Sequence, residues 1–500
     1  MYRELSNEPL DYKDLGFTDT AMKVLKERYL HKDPMTGEQE TIIGMFNRVS
    51  KTVAQGDRKK QADYMAVMLD RYFLPNSPTL MNAGRSGRHG QLSACYVLPV
   101  EDSMDGIFSA LKNQALIHKF GGGTGFNFSH LRPKGAAVNS TGGVATGPVS
   151  FMELFDMATE KVQQGGCRRG ANMGILNIDH PDILDFITSK LSGDRLTNFN
   201  ISVGMTDEFM QKVVDGALDK HEQEIWSTIV VSAWRSGDPG LVFLGTINRK
   251  NKHPELGELE ATNPCAECPL HDFEACNLGS INLSRFVTTT NTHVNDRRPI
   301  DLIDWDKLRR VVHIAVDFLN DVIDVNCYPL PEIAEAVRRS RKIGLGVMGW
   351  ADMLNKLGVR YGSDESLFLA QQVMCFIHEE GHRASRGRNC CVTCIAPTGT
   401  ISLIAGCSSG IEPLFALEYD RIAFAKDENA DGSSRKQVLH YVDPEYLAAR
   451  NNPEDRRIEL GVFVTAQELS YQKHIKMQAA FQEYTDLAVS KTINLPNKAT

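Results

Sequence analysis

Residues 261–284, ATNPCAECPLHDFEACNLGSINLS, gather three thiols, Cys265, Cys268 and Cys276, with an amide at Asn263 and a carboxylate at Glu267. A fourth thiol, Cys95, stands far upstream in LSACYVLPV. Radical reduction of a sugar hydroxyl needs such parts: a thiol to carry the radical, a base beside it, and two thiols to supply electrons. The Cys-x-x-Cys spacing of Cys265 and Cys268 also admits zinc or thioredoxin-type exchange. Zinc would need a second pair at workable spacing, and a thioredoxin motif would follow the first strand of a small domain. Cys390, Cys391 and Cys394, in CCVTCIAP, read instead as a strand in which small thiols pack.

Glycine-rich segments supply the candidate binding loops. FGGGTGF (120–126) is not a phosphate-binding P-loop, because no Gly-Lys-Ser/Thr follows; it serves either close backbone approach to a ligand or a tight turn. STGGVATGPVSF (140–151) and QQGGCRRGANMG (163–174) lie close together, and the second carries Arg168 and Arg169 among glycines. That composition suits a loop that recognises a base or a phosphate, or else a solvated surface loop. In APTGTISLIAG (396–406), Thr398, Gly399, Thr400 and Ser402 follow an apolar run, which reads as an anion site at a helix start or as a simple N-cap.

These residues need elements to hold them. The chain has 500 residues, 42% hydrophobic and 24% charged, within the range of a soluble globular protein. Its net charge of −8 argues against a nucleic-acid surface. No apolar run approaches the ~20 residues of a membrane span, and the amino terminus lacks the pattern of a signal peptide. A cytoplasmic protein is expected, whose eleven cysteines are reduced thiols, ligands or reactive groups.

Residues 15–75 read as helical. Thr18 is placed to cap a first helix carrying Ala21, Val24 and Leu25. A second stripe runs Ile42, Met45, Phe46, Val49, Val53, and a third segment after Asp57 carries Met65, Met68 and Tyr72. No further regulatory domain is expected before Arg28. From Leu74 onward, strand-like runs (96–100, 174–178, 199–203, 240–247) alternate with helical stripes such as Leu308, Val311, Val312, Ala315, Leu319, Val322. That alternation predicts an α/β domain with a mostly parallel sheet. Residues 426–436, KDENADGSSRK, predict an exposed loop.

NPCAE (263–267) followed by ACNLGSINL (275–283) resembles the catalytic segment of ribonucleotide reductases. The resemblance extends through LPNSPTLMNAG (74–84), LSACYVLPVEDS (92–103), GGGTGFNFSHLRPKG (121–135), both glycine loops, RKIGLGVMGWADML (341–354), APTGTIS (396–402) and SKTINLP (490–496). Its texture is most similar to the adenosylcobalamin-dependent class. The fold this implies is an α/β barrel of the ten-stranded ribonucleotide reductase type over residues 76–500, behind a helical segment over 1–75.

The resemblance also implies roles. Cys265 would carry the thiyl radical that takes the 3′ hydrogen of the ribose, Glu267 would be the general base at the 3′ hydroxyl, and Asn263 would hydrogen-bond the substrate hydroxyls. Cys95 and Cys276 would form the pair that protonates the leaving 2′ hydroxyl, reduces C2′ and ends as a disulfide. A carboxylate two residues from the radical thiol in a dry site is placed for proton transfer, and a barrel can bring distant strand ends together. Substrate phosphates would be held by Thr398, Gly399 and Thr400, with Ser77 and Thr79. Asp102, Arg132, Gln164, Arg168 and Arg169 would serve a deoxynucleoside triphosphate or ATP effector at a homodimer interface. The cofactor implied is adenosylcobalamin and the reductant thioredoxin or a similar protein; no protein-held metal ligands, nucleic acid or membrane are expected.

Two features depart from the family pattern. Cys268 stands where a non-thiol is usual. The chain also stops soon after SKTINLP, a segment that reads as a strand emerging from a helix carrying Ile475, Ala479 and Leu487. The last part of the barrel and a tail with a redox cysteine pair would be expected there, so the sequence is either a fragment of a longer product or one half of a split protein. The isolated chain would be aggregation-prone or completed by a second polypeptide, and thioredoxin would not re-reduce it alone. The alternatives are a catalytic subunit that takes its radical from a partner protein, and a nucleotide-binding half that is silent without a C-terminal chain.

Overall fold

A computed structural model of the chain describes residues 12–33, 35–85, 90–138, 142–162, 170–288, 298–426, 434–496 and 498–499. Three helices open it. α1 (Asp19–Arg28) is capped by Thr18, whose hydroxyl accepts from the Ala21 N–H; α2 (Ile42–Ala54) and α3 (Arg58–Leu69) are capped in the same way by Thr41 and Asp57. The α2 stripe Ile42, Met45, Phe46, Val49, Val53 is fully buried, as its helical period requires. Tyr72 lies past the end of α3, where its ring meets Phe286.

Eight strands form the main sheet: β1 (Phe73–Pro75), β2 (Cys95–Val97), β3 (Gly123–Asn127), β4 (Asn172–Asn177), β5 (Phe199–Met205), β6 (Gly240–Phe243), β7 (Ala275–Asn282) and β8 (Ile343–Met348). Their order is β1-β7-β2-β3-β4-β5-β6, with β8 on the other side of β7. The run β2 to β6 is parallel throughout, and β7 pairs in parallel with β8. The two parallel sets meet in antiparallel sense at β2 and β7, with Cys95 opposite Cys276. Two more parallel lanes continue past β8 as single bridges, Leu345 with Thr393 and Ile395 with Val489. This is the mostly parallel α/β sheet that the alternation predicts, curled in the barrel-type manner that the resemblance implies. β7 and β8 are buried over their whole lengths, because helices cover the outside, whereas the edge strand β6 is largely exposed.

Those helices are the crossovers. α4 (Ser77–Asn82) follows β1, α5 (Met104–Lys119) joins β2 to β3, and α6 (Pro148–Lys161) leads from β3 toward β4. α7 (Trp305–Val325) lies between β7 and β8 and buries the predicted stripe Leu308, Val311, Val312, Ala315, Leu319, Val322. α8 (Asp364–Ser385), the five-residue α9 (Ile401–Ala405) and α10 (Tyr471–Gln482) follow. Among the described residues no helix is long and apolar enough to cross a membrane.

Several local expectations are corrected. The strand expected over 96–100 is Cys95–Val97, and that over 240–247 stops at Phe243, where a six-residue helix begins. Residues 418–426 and 434–442 form an antiparallel hairpin, so Lys426 and residues 434–436 of the loop expected over 426–436 are strand; residues 427–433 lie outside those described. SKTINLP is not a strand, and Leu487 lies beyond the end of α10. A carboxylate ties this segment down instead: Glu412 receives the Lys491 ammonium at 2.7 Å and the Thr492 N–H at 2.6 Å. Residues 390–394 likewise form no regular strand: they meet β8 at the single bridge of Leu345 with Thr393, and the Asp486 carboxylate accepts the N–H groups of Val392 and Thr393.

Candidate active site

The segment 263–268 is a tight loop held at the junction of the two parallel sets. Flanking residues Ala261–Thr262 and Pro269–Leu270 pair with each other. Inside, Asn263 Oδ1 accepts the Cys268 N–H at 2.9 Å, the Ala266 N–H bonds Asn263 O, and Ala266 takes a left-handed φ of 64°. The Glu267 carbonyl accepts the Ala488 N–H at 2.9 Å and the Cys394 thiol at 3.3 Å. β3 can lie against this loop because residue 125 is glycine: a Cβ there would sit 1.7 Å from the Thr262 carbonyl oxygen.

The loop projects into a cavity of about 280 Å³. One wall holds Asn263, Cys265 and Glu267 with Cys95 from β2; the other holds Thr398, Gly399 and Thr400 with Asn76 and Ser77. Gly121, Gly122 and Gly123 form part of the lining, so the glycines of FGGGTGF serve close approach as well as packing. Cys265 is exposed, whereas Asn263, Glu267, Cys95, Cys268 and Cys276 are buried.

Asn263 Nδ2 donates to Cys95 Sγ at 3.0 Å, and the Cys95 thiol faces Glu267 Oε1 at 4.0 Å. Glu267 Oε2 is buried with no hydrogen-bond partner. Burial pushes the Glu267 carboxyl up to about 7, against smaller opposing hydrogen bonds from Asn263 and its own backbone. A carboxyl poised there, with one oxygen uncommitted, exchanges protons at neutral pH. Burial also pushes Cys268 well up, and Cys95 is raised on balance, so both are held as thiols.

Cys276 stands across from Cys95 on β7; its thiol is turned to the Asn277 and Lys342 carbonyls at 3.7 and 3.8 Å. Antiparallel partners have Cβ atoms about 4.5–5.5 Å apart, close to what a disulfide requires. Behind them a buried Lys342–Glu274 pair, 2.5 Å, closes the β7–β8 side.

Other residues are placed as follows. Thr398 has φ of 56° and accepts the Gly410 N–H at 2.7 Å. Ser77 shares a hydrogen bond with Tyr29 of the helical segment, 2.7 Å. Thr79 does not line the cavity: its N–H and hydroxyl both bond Asn76 Oδ1, at 3.0 and 2.8 Å. That leaves Asn76 Nδ2 buried and unpartnered, an amide donor the sequence reading passed over. Its signal was the Asn-Ser-Pro-Thr order, in which asparagine is the N-cap and threonine its N3 partner. Asp102 and Arg132 form an ion pair, 2.8 Å, outside the cavity lining. Gln164, Arg168 and Arg169 lie outside the described residues.

Residues 15–88 match the family model described as ribonucleotide reductase, all-alpha domain, and residues 93–221, 217–387 and 386–500 match that described as ribonucleotide reductase, barrel domain. The vitamin B12-dependent ribonucleoside-diphosphate reductase of Thermoplasma acidophilum is 49% identical, over 87% of this chain and 61% of its own length. The protein of that name from Mycobacterium tuberculosis is 42% identical, over 97% of this chain and 76% of its own. The ribonucleoside-diphosphate reductase subunit alpha of Chlamydia muridarum is 27% identical over 81% of this chain and 48% of its own. The chain thus spans from about half to three quarters of these relatives.

Proposed function

This chain belongs to the ribonucleotide reductase family, and from that membership we propose that it reduces ribonucleotides to 2′-deoxyribonucleotides by way of a thiyl radical on Cys265. The observation that carries the reading is the Glu267 carboxylate, buried in the cavity wall with one oxygen uncommitted and the Cys95 thiol at the other. A base of this kind takes the 3′ hydroxyl proton once the 3′ hydrogen has gone to Cys265. Cys95 and Cys276 then supply two electrons and two protons, one proton leaving with the 2′ hydroxyl as water and the other hydrogen going to C2′, and end as a disulfide, while Cys265 returns its hydrogen to C3′ and Glu267 its proton to the 3′ oxygen. Asn263 holds the Cys95 thiol toward the ribose. Substrate phosphates lie at the Thr398–Gly399–Thr400 wall, where Asn76 Nδ2 and Ser77 add donors.

Adenosylcobalamin, named by the vitamin B12-dependence of the relatives, is the radical source we assign. The fit rests on Cys265, whose exposure at the cavity leaves it open to a bulky group bound outside. When bound, the cofactor supplies a carbon-centred radical that removes hydrogen from a thiol. Asp102 and Arg132 are assigned to a deoxynucleotide effector site in a homodimer, with 163–172 as the loop that reports on it.

The test is product formation. With adenosylcobalamin, dithiothreitol, a ribonucleoside di- or triphosphate and an effector, 2′-deoxynucleotide should form, with this chain alone or once the remaining segment of its relatives is added. Turnover that ignores adenosylcobalamin and requires a radical-supplying partner protein would overturn the cofactor assignment. No product under any of these conditions would overturn the reaction.

A further inference from the structure

The proposed reaction uses Cys95 and Cys276, yet more thiols meet at this point. Cys95, Cys268, Cys276, Cys391 and Cys394 share one buried apolar cluster, separate from the main core. Cys268 is fully buried, its Sγ 3.4 Å from Cys394 Sγ, although the two are 126 residues apart in sequence. Its Sγ also lies within 4.8 Å of Cys95 Sγ. The Cys394 thiol is oriented by the Glu267 carbonyl at 3.3 Å. A disulfide needs sulfurs at about 2.05 Å, so a closure of roughly 1.4 Å would join Cys268 to Cys394.

We propose that Cys268 and Cys394 are a second dithiol that passes two electrons to the Cys95–Cys276 disulfide, a step that rests on the reading of Cys95 and Cys276 as the reducing pair. Cys268 Sγ attacks Cys95 Sγ; the Cys95–Cys276 bond breaks, and Cys276 leaves as thiolate and takes up the proton Cys268 gave up. Cys394 Sγ then attacks Cys268 Sγ; the mixed disulfide breaks, and Cys95 leaves and takes the proton of Cys394. One dithiol is oxidised and one disulfide reduced, with no other oxidant or reductant consumed. The Glu267 carboxylate, within 4.8 Å of the Cys95 and Cys268 sulfurs, is placed to carry the proton between them. The protein would then hold two reductions' worth of electrons before any external thiol is needed.

The test begins without turnover. Wild type, Cys268→Ser and Cys394→Ser are equilibrated in glutathione buffers of graded potential, alkylated under denaturing conditions and mapped by peptide mass. Wild type should yield both Cys95–Cys276 and Cys268–Cys394, and Cys394→Ser should trap a mixed disulfide between Cys268 and Cys95. Cys95–Cys276 alone in wild type, or no mixed disulfide in Cys394→Ser, overturns the relay and leaves the reducing pair intact. Absence of Cys95–Cys276 overturns the pair itself, and the relay with it. In the active enzyme, reduced and then freed of external thiol, the burst should be about two product molecules per chain, falling to about one in Cys268→Ser and in Cys394→Ser. A burst of one in wild type contradicts the proposal.

Discussion

Asn263 and Cys95 stand 168 residues apart in the chain, and the amide nitrogen of the first lies 3.0 Å from the sulfur of the second. The same amide's oxygen holds the Cys268 N–H. One side chain therefore sets both the curvature of the 263–268 loop and the position of a thiol on another strand, and it couples loop geometry to the donor that faces Glu267.

Cys265→Ser should bind ribonucleotide with little change and form no 2′-deoxynucleotide. A serine O–H bond is too strong to relay the radical, while the cavity shape is kept. Equilibrium binding beside product assay checks this, and measurable product from the variant contradicts the assignment of Cys265.

Glu267 makes turnover depend on pH. Its folded pKa is raised to about 7 by burial, and the base must be ionised, so kcat/KM should rise as pH rises through about 7. Stability moves the other way: between the unfolded value of 4.5 and 7 the folded state holds the extra proton, so stability falls as pH rises across that window. Glu267→Gln should lose turnover and flatten this part of the stability profile. A variant that keeps the rising limb of activity would show another group is the base.

Cys95→Ser and Cys276→Ser should each stop reduction while leaving hydrogen abstraction possible, with free base released from the ribonucleotide as the sign of a radical that formed and misfired. Chromatography of the nucleobase beside the deoxynucleotide assay reads both. Wild-type turnover by either variant with dithiothreitol removes that cysteine from the pair.

Arg132→Ala should weaken effector binding by roughly tenfold or more, since a charge-assisted phosphate contact contributes on the order of 1.5–3 kcal/mol. Its ion pair with Asp102 is more than a third exposed on the Arg132 side, so the unfolding temperature should barely move. Unchanged effector affinity by calorimetry would place the site elsewhere.

Asp486 should matter for stability out of proportion to its distance from the reaction. Its carboxylate receives His378 and His382 from α8 and the N–H groups of Val392 and Thr393. Burial pushes the Asp486 carboxyl up, but these hydrogen bonds outweigh it and hold Asp486 well below the usual carboxylate range, and Asp486 in turn raises His382. The His382 contribution is full below pH 6.5 and is lost as pH rises through its raised value; the Asp486 contribution is present above 3.8 and is lost only as pH falls through its depressed one. Asp486→Asn should cost about 3 kcal/mol in denaturant unfolding near pH 6, and less at pH 9. An equal loss at both pH values would mean His382 contributes no charge.

Local chemistry was legible without coordinates. Thr18 caps its helix because a cap needs only neighbours two or three residues away, and the α2 and α7 stripes follow from the helical period alone. The Asn263–Glu267 segment announced its residues because one short loop carries them all. What only the tertiary structure decided depends on distant partners. Cys95 meets Cys276 because an antiparallel seam joins two parallel sets of strands, and Cys268 meets Cys394 because residues 390–394 are pinned by Asp486 against the loop. Thr79, by its residue type a phosphate donor, turns inward to fix Asn76. Strand-like composition at 490–496 gave way to a carboxylate anchor at Glu412. Glu267 has an ordinary carboxylate's sequence; its proton affinity comes from the water that the folded wall excludes, and exclusion of water is a property of the whole packed chain.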